Sequence, residues 1–155
     1  MVARRKQHTA HILLVEDNPA DARLIATLLG MWKSSFKLDV VTDGEQAINY
    51  LQRKGEFSDK PIPHLIILDL NLPRIDGREV LKATKVHEHL KRIPIIVLTT
   101  SNSEEDIATT YGLHANAFIS KPEDLNDLTA IVQSIEAFWL QNVELPNLSR
   151  ESIAP

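Results

Sequence analysis

Residues 65–69 read Leu65-Ile66-Ile67-Leu68-Asp69, four branched aliphatic side chains followed directly by an acid. An uninterrupted apolar run of this length is typical of a parallel strand that is buried on both faces. A carboxylate at the end of such a strand costs free energy unless it is paired or has a function. The stretch therefore predicts a central strand and, at its carboxyl end, a candidate reactive acid.

Similar runs recur along the chain and alternate with segments of helical periodicity. Successive runs start 26, 28, 30 and 22 residues apart, which is typical of consecutive βα units. Five such units predict an α/β fold, with a parallel sheet between two layers of helices. The predicted strands are His11–Val15, Lys37–Val41, Leu65–Leu68, Ile95–Leu98 and Ala117–Ile119.

The predicted helices begin at recognisable capping residues. Asn18-Pro19 supplies an N-cap and a first-turn proline, and Thr42–Glu45 fits a capping box. The helices are expected near residues 19–32, 43–53, 76–88, 103–113 and 123–143. We expect a flexible arm over residues 1–10, one domain over 11–143, and a loose tail within 144–155.

Composition excludes several classes of protein. The chain has 155 residues, of which 43% are hydrophobic and 25% charged, as in an ordinary globular domain. The absence of cysteine excludes disulfides, thiolate nucleophiles and iron–sulfur clusters. With 17 basic and 21 acidic residues the net charge is −4, which argues against nucleic acid as a partner. No apolar run exceeds four residues, so we expect no membrane association and a cytoplasmic location.

Chemically reactive side chains follow four of the predicted strands. In a parallel sheet of this kind, ligands bind outside the carboxyl ends of the strands. Oxygen ligands from converging carboxylates suit Mg²⁺, and a carboxylate beside the ion can attack a phosphoryl group. A lysine and a hydroxyl can then neutralise charge in the transition state. The residues at these ends are Glu16-Asp17, Asp69, Thr99-Thr100 and Lys121-Pro122.

These motifs resemble the receiver domains of bacterial two-component response regulators. The resemblance covers about residues 10–143 and is carried by Val15–Asn18, Asp69–Pro73, Asp76-Gly77, Leu98–Ser101 and Lys121-Pro122. It implies a flavodoxin-like (βα)5 sandwich with strand order 2-1-3-4-5. It also implies a phosphorylated signalling protein, not an enzyme, that assists its own phosphotransfer and dephosphorylation.

The resemblance assigns roles by position. Asp69 matches the phosphoacceptor. Glu16 and Asp17 match the acids that hold Mg²⁺, and Asn71 matches the residue whose backbone carbonyl completes the metal shell. Thr99 matches the hydroxyl that contacts the phosphoryl group, with Thr100 leaving the register open by one. Lys121 matches the lysine that pairs with the carboxylate or phosphate, and Phe118 matches an aromatic switch position.

The same resemblance implies partners. The donor would be a sensor histidine kinase, and the stretch Asp69–Leu81 and the long connection Gln52–Pro63 are similar to those of receivers paired with phytochrome-type kinases. The late aromatics Phe138 and Trp139 favour a homodimer contact, although Trp139 folding back on its own sheet stays open. Two alternatives also stay open: a Mg²⁺-dependent aspartyl-phosphate phosphatase, and a receiver-like binding module that is not phosphorylated.

Overall fold

The computed structural model describes residues 9–31 and 35–148, which form a five-stranded parallel sheet with order β2-β1-β3-β4-β5. The predicted α/β fold and strand order are confirmed. The strands are β1 (Ala10–Val15), β2 (Phe36–Val41), β3 (Leu65–Leu68), β4 (Ile95–Thr99) and β5 (Ala117–Ser120). The helices are α1 (Pro19–Gly30), α2 (Gly44–Leu51), α3 (Gly77–Val86), α4 (Glu104–Gly112) and α5 (Leu125–Ile135).

The two faces of the sheet bury two separate apolar clusters. Alternate residues of a strand point to opposite faces, so Ile66 joins one cluster and Ile67 the other. Helices α1 and α5 cover one face, and α2, α3 and the end of α4 cover the other. Every residue of β3 and β4 is buried, as the apolar runs in the sequence predict.

The helices begin at side-chain caps. The Asn18 carboxamide oxygen accepts hydrogen bonds from the backbone N–H groups of Ala20 and Asp21, at 2.9 and 3.1 Å. At α2 the cap is Asp43, which accepts from the Gln46 N–H, while Gln46 Oε1 accepts from the Thr42 N–H. The N-cap therefore lies one residue later than predicted, at Asp43 and not Thr42, and the return bond from Gln46 reaches the residue before the cap.

The last helix changes geometry before it ends. The predicted helix 123–143 is an α-helix only to Ile135 and continues as a π-helical segment, Glu136–Asn142. The Phe138 and Trp139 rings form an edge-to-face pair with centroids 5.4 Å apart. Trp139 packs on the cluster of its own α1–α5 face, whereas 54% of Phe138 is exposed. Trp139 thus folds back on its own sheet, and Phe138 presents the aromatic surface.

The segment after α5 is fixed at one point. Leu148 is only 4% exposed and belongs to the cluster on the α2–α3 face. The expectation of a loose tail is wrong at this residue, because a buried leucine anchors the chain to the core. The remaining parts of the predicted arm and tail, residues 1–8 and 149–155, lie outside the described residues, as does the predicted end of the first helix at residue 32. None of the helices in the described ranges has the length and apolarity that a membrane span requires.

Candidate functional site

The register of the sheet brings the predicted site residues to one edge. Val15 pairs with Leu68, and Leu68 pairs with Val97 of β4, so β1, β3 and β4 end side by side. The Asp69 N–H donates to the Val15 carbonyl at 3.0 Å, and the Lys121 N–H donates to the Thr99 carbonyl at 2.6 Å. The backbone itself therefore holds the loops that carry the reactive side chains.

Lys121 lies at the centre of this edge. Its side chain is 6% exposed, and its ammonium group contacts Glu16 Oε1, Asp21 Oδ2 at 3.1 Å and Asp69 Oδ2 at 3.2 Å. An ammonium has three N–H donors, and three carboxylates on separate elements take them. Lys121 thus joins the ends of β1 and β3 and the first turn of α1.

The charges of the site are strongly coupled. Burial, together with the neighbouring Asp69, raises the pKa of Glu16 to about 8, and the opposing effect of Lys121 is smaller. Burial alone would also raise the pKa of Asp69, but Glu16, Thr99 and Lys121 together hold it below its usual value. Burial opposes the charge of Lys121, yet the surrounding carboxylates outweigh it and raise the Lys121 pKa. Asp69 is thus the carboxyl group that is kept ionised.

The acids fit a divalent cation. Oxygen atoms of Glu16, Asp17 and Asp69 lie within 4.8 Å of one another, the one group of this kind in the described part of the chain. Glu16 Oε2 is buried and has no hydrogen-bond partner among the described residues. A buried carboxylate oxygen without a donor is costly, and a cation would satisfy it. All the candidate ligands are oxygen atoms, which Mg²⁺ prefers. Because Asp17 is exposed, water can also reach the site, and a bound Mg²⁺ usually keeps several water ligands.

The other predicted residues surround this cluster. Thr99 is fully buried and its hydroxyl oxygen has no hydrogen-bond partner among the described residues, whereas Thr100 is exposed. Asn71 is exposed, and its N–H lies 3.4 Å from Asp69 Oδ1. Phe118 is half-buried on the α2–α3 face, and its N–H donates to Tyr111 Oη at 3.2 Å. The structure therefore places Thr99, rather than Thr100, with its hydroxyl inside the protein at the site's edge.

Sequence reasoning missed Asp21. It is the third carboxylate on Lys121, and it stands in the first turn of α1. Acids are common in first turns because they interact favourably with the helix dipole, so composition does not separate Asp21 from an ordinary capping residue. The usable signal is position, since a helix that starts directly after β1 brings its first turn to the carboxyl edge of the sheet.

A second missed feature is a network that ties the loop after β4 to α3. Asp106, in the first turn of α4, accepts from Arg78 Nη2 at 2.6 Å and from the Ser101 hydroxyl. Arg78 also donates to Asp76, the N-cap of α3, at 3.0 Å. The pKa of Asp106 is lowered most by the hydrogen bond from Ser101 and next by the hydrogen bond from Arg78. The network joins residues 28 positions apart, which no local sequence pattern indicates.

Comparisons with known proteins agree with this geometry. The protein-family model of the response regulator receiver domain matches residues 12–133 of this chain. Response regulator Rcp1 from Synechocystis sp. (strain ATCC 27184 / PCC 6803 / Kazusa) is 49% identical over 135 residues, which are 87% of this chain and 92% of Rcp1.

Two solved structures match over nearly their whole length. The Mn(2+)-bound form of Rcp1 matches with a TM-score of 0.87 at 48% identity, covering 89% of this chain and 99% of the other. The phosphorylated cyanobacterial phytochrome response regulator RcpA matches with a TM-score of 0.87 at 46% identity, covering 90% and 100%. One of these relatives holds a divalent metal and the other carries a phosphoryl group.

Proposed function

Because this chain belongs to the response regulator receiver domain family, we propose that it accepts a phosphoryl group on Asp69 from a sensor histidine kinase, with Mg²⁺ bound beside it. The observation that carries the proposal is the cluster at the carboxyl edge of the sheet. There Lys121 contacts an ionised Asp69, and two buried oxygen atoms, Glu16 Oε2 and Thr99 Oγ1, have no partner among the described residues. Both unsatisfied atoms are of the kinds that a metal ion and a phosphoryl group would satisfy.

The transfer would use the low pKa of Asp69. Its carboxylate oxygen attacks phosphorus, and the bond to the donor's histidine nitrogen breaks, its electron pair leaving with the imidazole. Glu16, Asp17 and Asp69, with the Asn71 carbonyl, would hold Mg²⁺, which when bound neutralises charge on the phosphoryl oxygens. Lys121 and the Thr99 hydroxyl supply further donors for the same oxygens.

The signal would leave through the loop after β4. The acyl phosphate carries about −1.5 to −2 charges where the Asp69 carboxylate carried one, and Thr99 and Lys121 would move toward its oxygen atoms. The network of Ser101, Asp106 and Arg78 connects that loop to α3 and α4, so a shift of the loop changes contacts at the start of both helices. Phe118, half-buried on β5, would turn further inward in the switched state, in which the equilibrium between two conformations has shifted.

Labelling tests the phosphoacceptor. In Mg²⁺ with a small-molecule phosphodonor, the wild-type protein is expected to take up label and Asp69→Asn none, because an amide is not a nucleophile here. Asp76→Asn is the matched control, since Asp76 is an N-cap on the adjacent loop and should leave labelling intact. Equal incorporation by wild type and Asp69→Asn would show that the assignment is wrong.

We also propose that the donor is a phytochrome-type kinase. RcpA, which matches over 90% of this chain, is a phytochrome response regulator. In the same assay with phosphorylated kinases as donors, transfer from a phytochrome-type kinase should outpace transfer from unrelated kinases. Equal rates would remove this part of the proposal.

For the output we propose a homodimer or another protein contact through the α4–β5–α5 face. Three large apolar residues of this face are exposed to solvent in the single chain. Tyr111 is 48% exposed, Leu125 56% and Phe138 54%. Aromatic residues are enriched in the buried centres of interfaces. Trp139 would support Phe138 from behind, since their rings are in edge-to-face contact.

Phe138→Glu is expected to weaken self-association at least about tenfold, because it places a charge where an aromatic anchor would be buried. Analytical ultracentrifugation over a concentration series, with and without beryllofluoride and Mg²⁺, measures this. Val86→Glu is the control, since Val86 is 74% exposed at the end of α3, outside this face. A wild-type protein that stays monomeric throughout, or a Phe138→Glu variant that associates normally, would contradict the dimer.

A further inference from the structure

We propose that Asp21 is a positioning residue for phosphoryl transfer, holding the Lys121 ammonium beside Asp69 while the other acids bind the cation. The inference rests on the proposed function and extends it to a residue outside the acidic metal set. Three carboxylates contact Lys121, and two of them, Glu16 and Asp69, belong to the group of acids that fits a divalent cation. Asp21 is the remaining one of the three.

The geometry makes Asp21 a fixed anchor. Its backbone N–H is bound by the Asn18 cap at 3.1 Å, and the first turn of α1 begins at Pro19. Its side chain is 35% exposed, while the lysine side chain that it contacts is 6% exposed. The Asp21 carboxylate therefore reaches inward from a rigid helix start to a buried lysine.

The other end of the contact is equally well held. The Lys121 backbone N–H donates to the Thr99 carbonyl at 2.6 Å, so the base of the side chain is placed by the β4–β5 edge. The four-carbon stem has several rotatable bonds, and the contacts at the ammonium determine where the charged end lies. Loss of one of three contacts therefore affects the ammonium more than the backbone.

The contact between Asp21 and Lys121 becomes more important when a cation is bound. When carboxylate oxygens of Glu16 and Asp69 bind a metal ion, they have less capacity to hold the ammonium. On transfer, Asp69 becomes an acyl phosphate, and Lys121 must reach phosphoryl oxygens at the same place. Asp21 keeps its contact through both changes, because it is not in the metal group.

Replacement of Asp21 by two residues separates hydrogen bonding from charge. Asparagine keeps an oxygen acceptor for the ammonium but removes the negative charge, whereas alanine removes both. If Asp21 positions Lys121, asparagine should rescue the function that alanine loses. If Asp21 acts only by its charge, the two variants should behave alike.

The experiment measures the rate of phosphorylation by a small-molecule donor at saturating Mg²⁺, together with Mg²⁺ affinity by titration. Asp21→Ala is expected to lower the rate about tenfold and Asp21→Asn by less than about threefold, with Mg²⁺ affinity within about threefold of wild type in both. Asp127→Ala is the matched control. It removes an exposed first-turn acid of α5 and should change neither quantity.

A double variant tests whether Asp21 acts through Lys121. Asp21→Ala combined with Lys121→Met should be no slower than Lys121→Met alone, because the positioned group is already absent. In the metal-free wild type, NMR should also show slow hydrogen exchange of the Lys121 ammonium, and Asp21→Ala should make it faster. The comparison of rates does not depend on a general loss of stability.

The proposal is overturned by a wild-type rate in Asp21→Ala, by equal losses in the alanine and asparagine variants, or by additive losses in the double variant. A loss of Mg²⁺ affinity as large as the loss of rate also overturns it, since Asp21 would then act on the cation. A wild-type protein that takes up no label on Asp69 refutes the proposed function instead, and the role of Asp21 falls with it.

Discussion

Gly77→Ala is expected to lower the free energy of unfolding by about 3 kcal/mol and to weaken Mg²⁺ binding, because a side chain at this position has no space. A Cβ on Gly77 would lie 2.2 Å from the Asp69 carbonyl oxygen and 2.6 Å from Leu70 Cα. Both atoms belong to the backbone, so no side-chain rotation relieves the clash. The Gly77 N–H also donates to the Leu70 carbonyl at 2.8 Å, which holds the start of α3 against this loop.

The clash would displace the loop that carries the phosphoacceptor. A shift of the Asp69 backbone moves its carboxylate relative to Glu16 and Lys121, so metal affinity and stability should fall together. For a chain of this length, about 3 kcal/mol corresponds to a fall in Tm of about 6–12 °C. Thermal unfolding and Mg²⁺ titration of the same samples measure both effects.

Gly112→Ala provides the matched control for Gly77→Ala. Gly112 ends α4, and apart from its chain neighbours and the backbone of its own helix a Cβ there would have no atom within 4 Å. Alanine is the better helix former, so this variant should be neutral or more stable by up to about 1 kcal/mol. A Gly77→Ala protein with wild-type Tm and Mg²⁺ affinity would show that α3 does not hold the site in place.

The fold was predictable because local patterns and the global architecture agree. Runs such as Leu65–Leu68 are apolar at every position, which distinguishes a central parallel strand from a half-exposed one, and their spacing leaves room for one helix each. The ends of elements were less predictable. Asp43 rather than Thr42 caps α2, although both residue types are good N-caps, and α5 becomes π-helical after Ile135.

The candidate site was predictable to the extent that strand ends determine it. Glu16, Asp69 and Lys121 each follow a strand directly, so the parallel topology alone brings them together. Asp21 and Asp106 lie on helices, where an acid in the first turn has an ordinary explanation. The burial of Leu148 was missed because the segment around it shows no apolar periodicity from which burial could be inferred.

The Mg²⁺ affinity of the wild-type protein is expected to rise about fiftyfold between pH 6 and pH 8, because the cation binds the ionised form of Glu16. Burial raises the pKa of this carboxyl group to about 8. About 1% of Glu16 is then ionised at pH 6 and about half at pH 8. Competition between proton and cation for the same oxygen atoms produces the rise.

The same shift has a defined sign for stability. The pKa of Glu16 is higher in the folded protein than its ordinary value of 4.5, so the folded state binds the proton more tightly than the unfolded state. The resulting stabilisation is complete below about pH 4.5 and is lost as the pH rises to about 8. Added Mg²⁺ should therefore raise Tm more at pH 8 than at pH 6, since it replaces the proton that is lost.

Glu16→Gln isolates the contribution of this carboxyl group. Glutamine keeps the shape of the side chain and cannot ionise, so Mg²⁺ binding should be weaker than in wild type at pH 8 and change less than about threefold over the same pH range. Asp17 and Asp69 remain in this variant, and Asp69 stays ionised throughout because its pKa is below the usual value. Titrations at fixed ionic strength measure the slopes. A wild-type affinity that is flat from pH 6 to pH 8 would show that the cation does not bind in competition with the Glu16 proton, and the acids that hold it would have to be Asp17 and Asp69 alone.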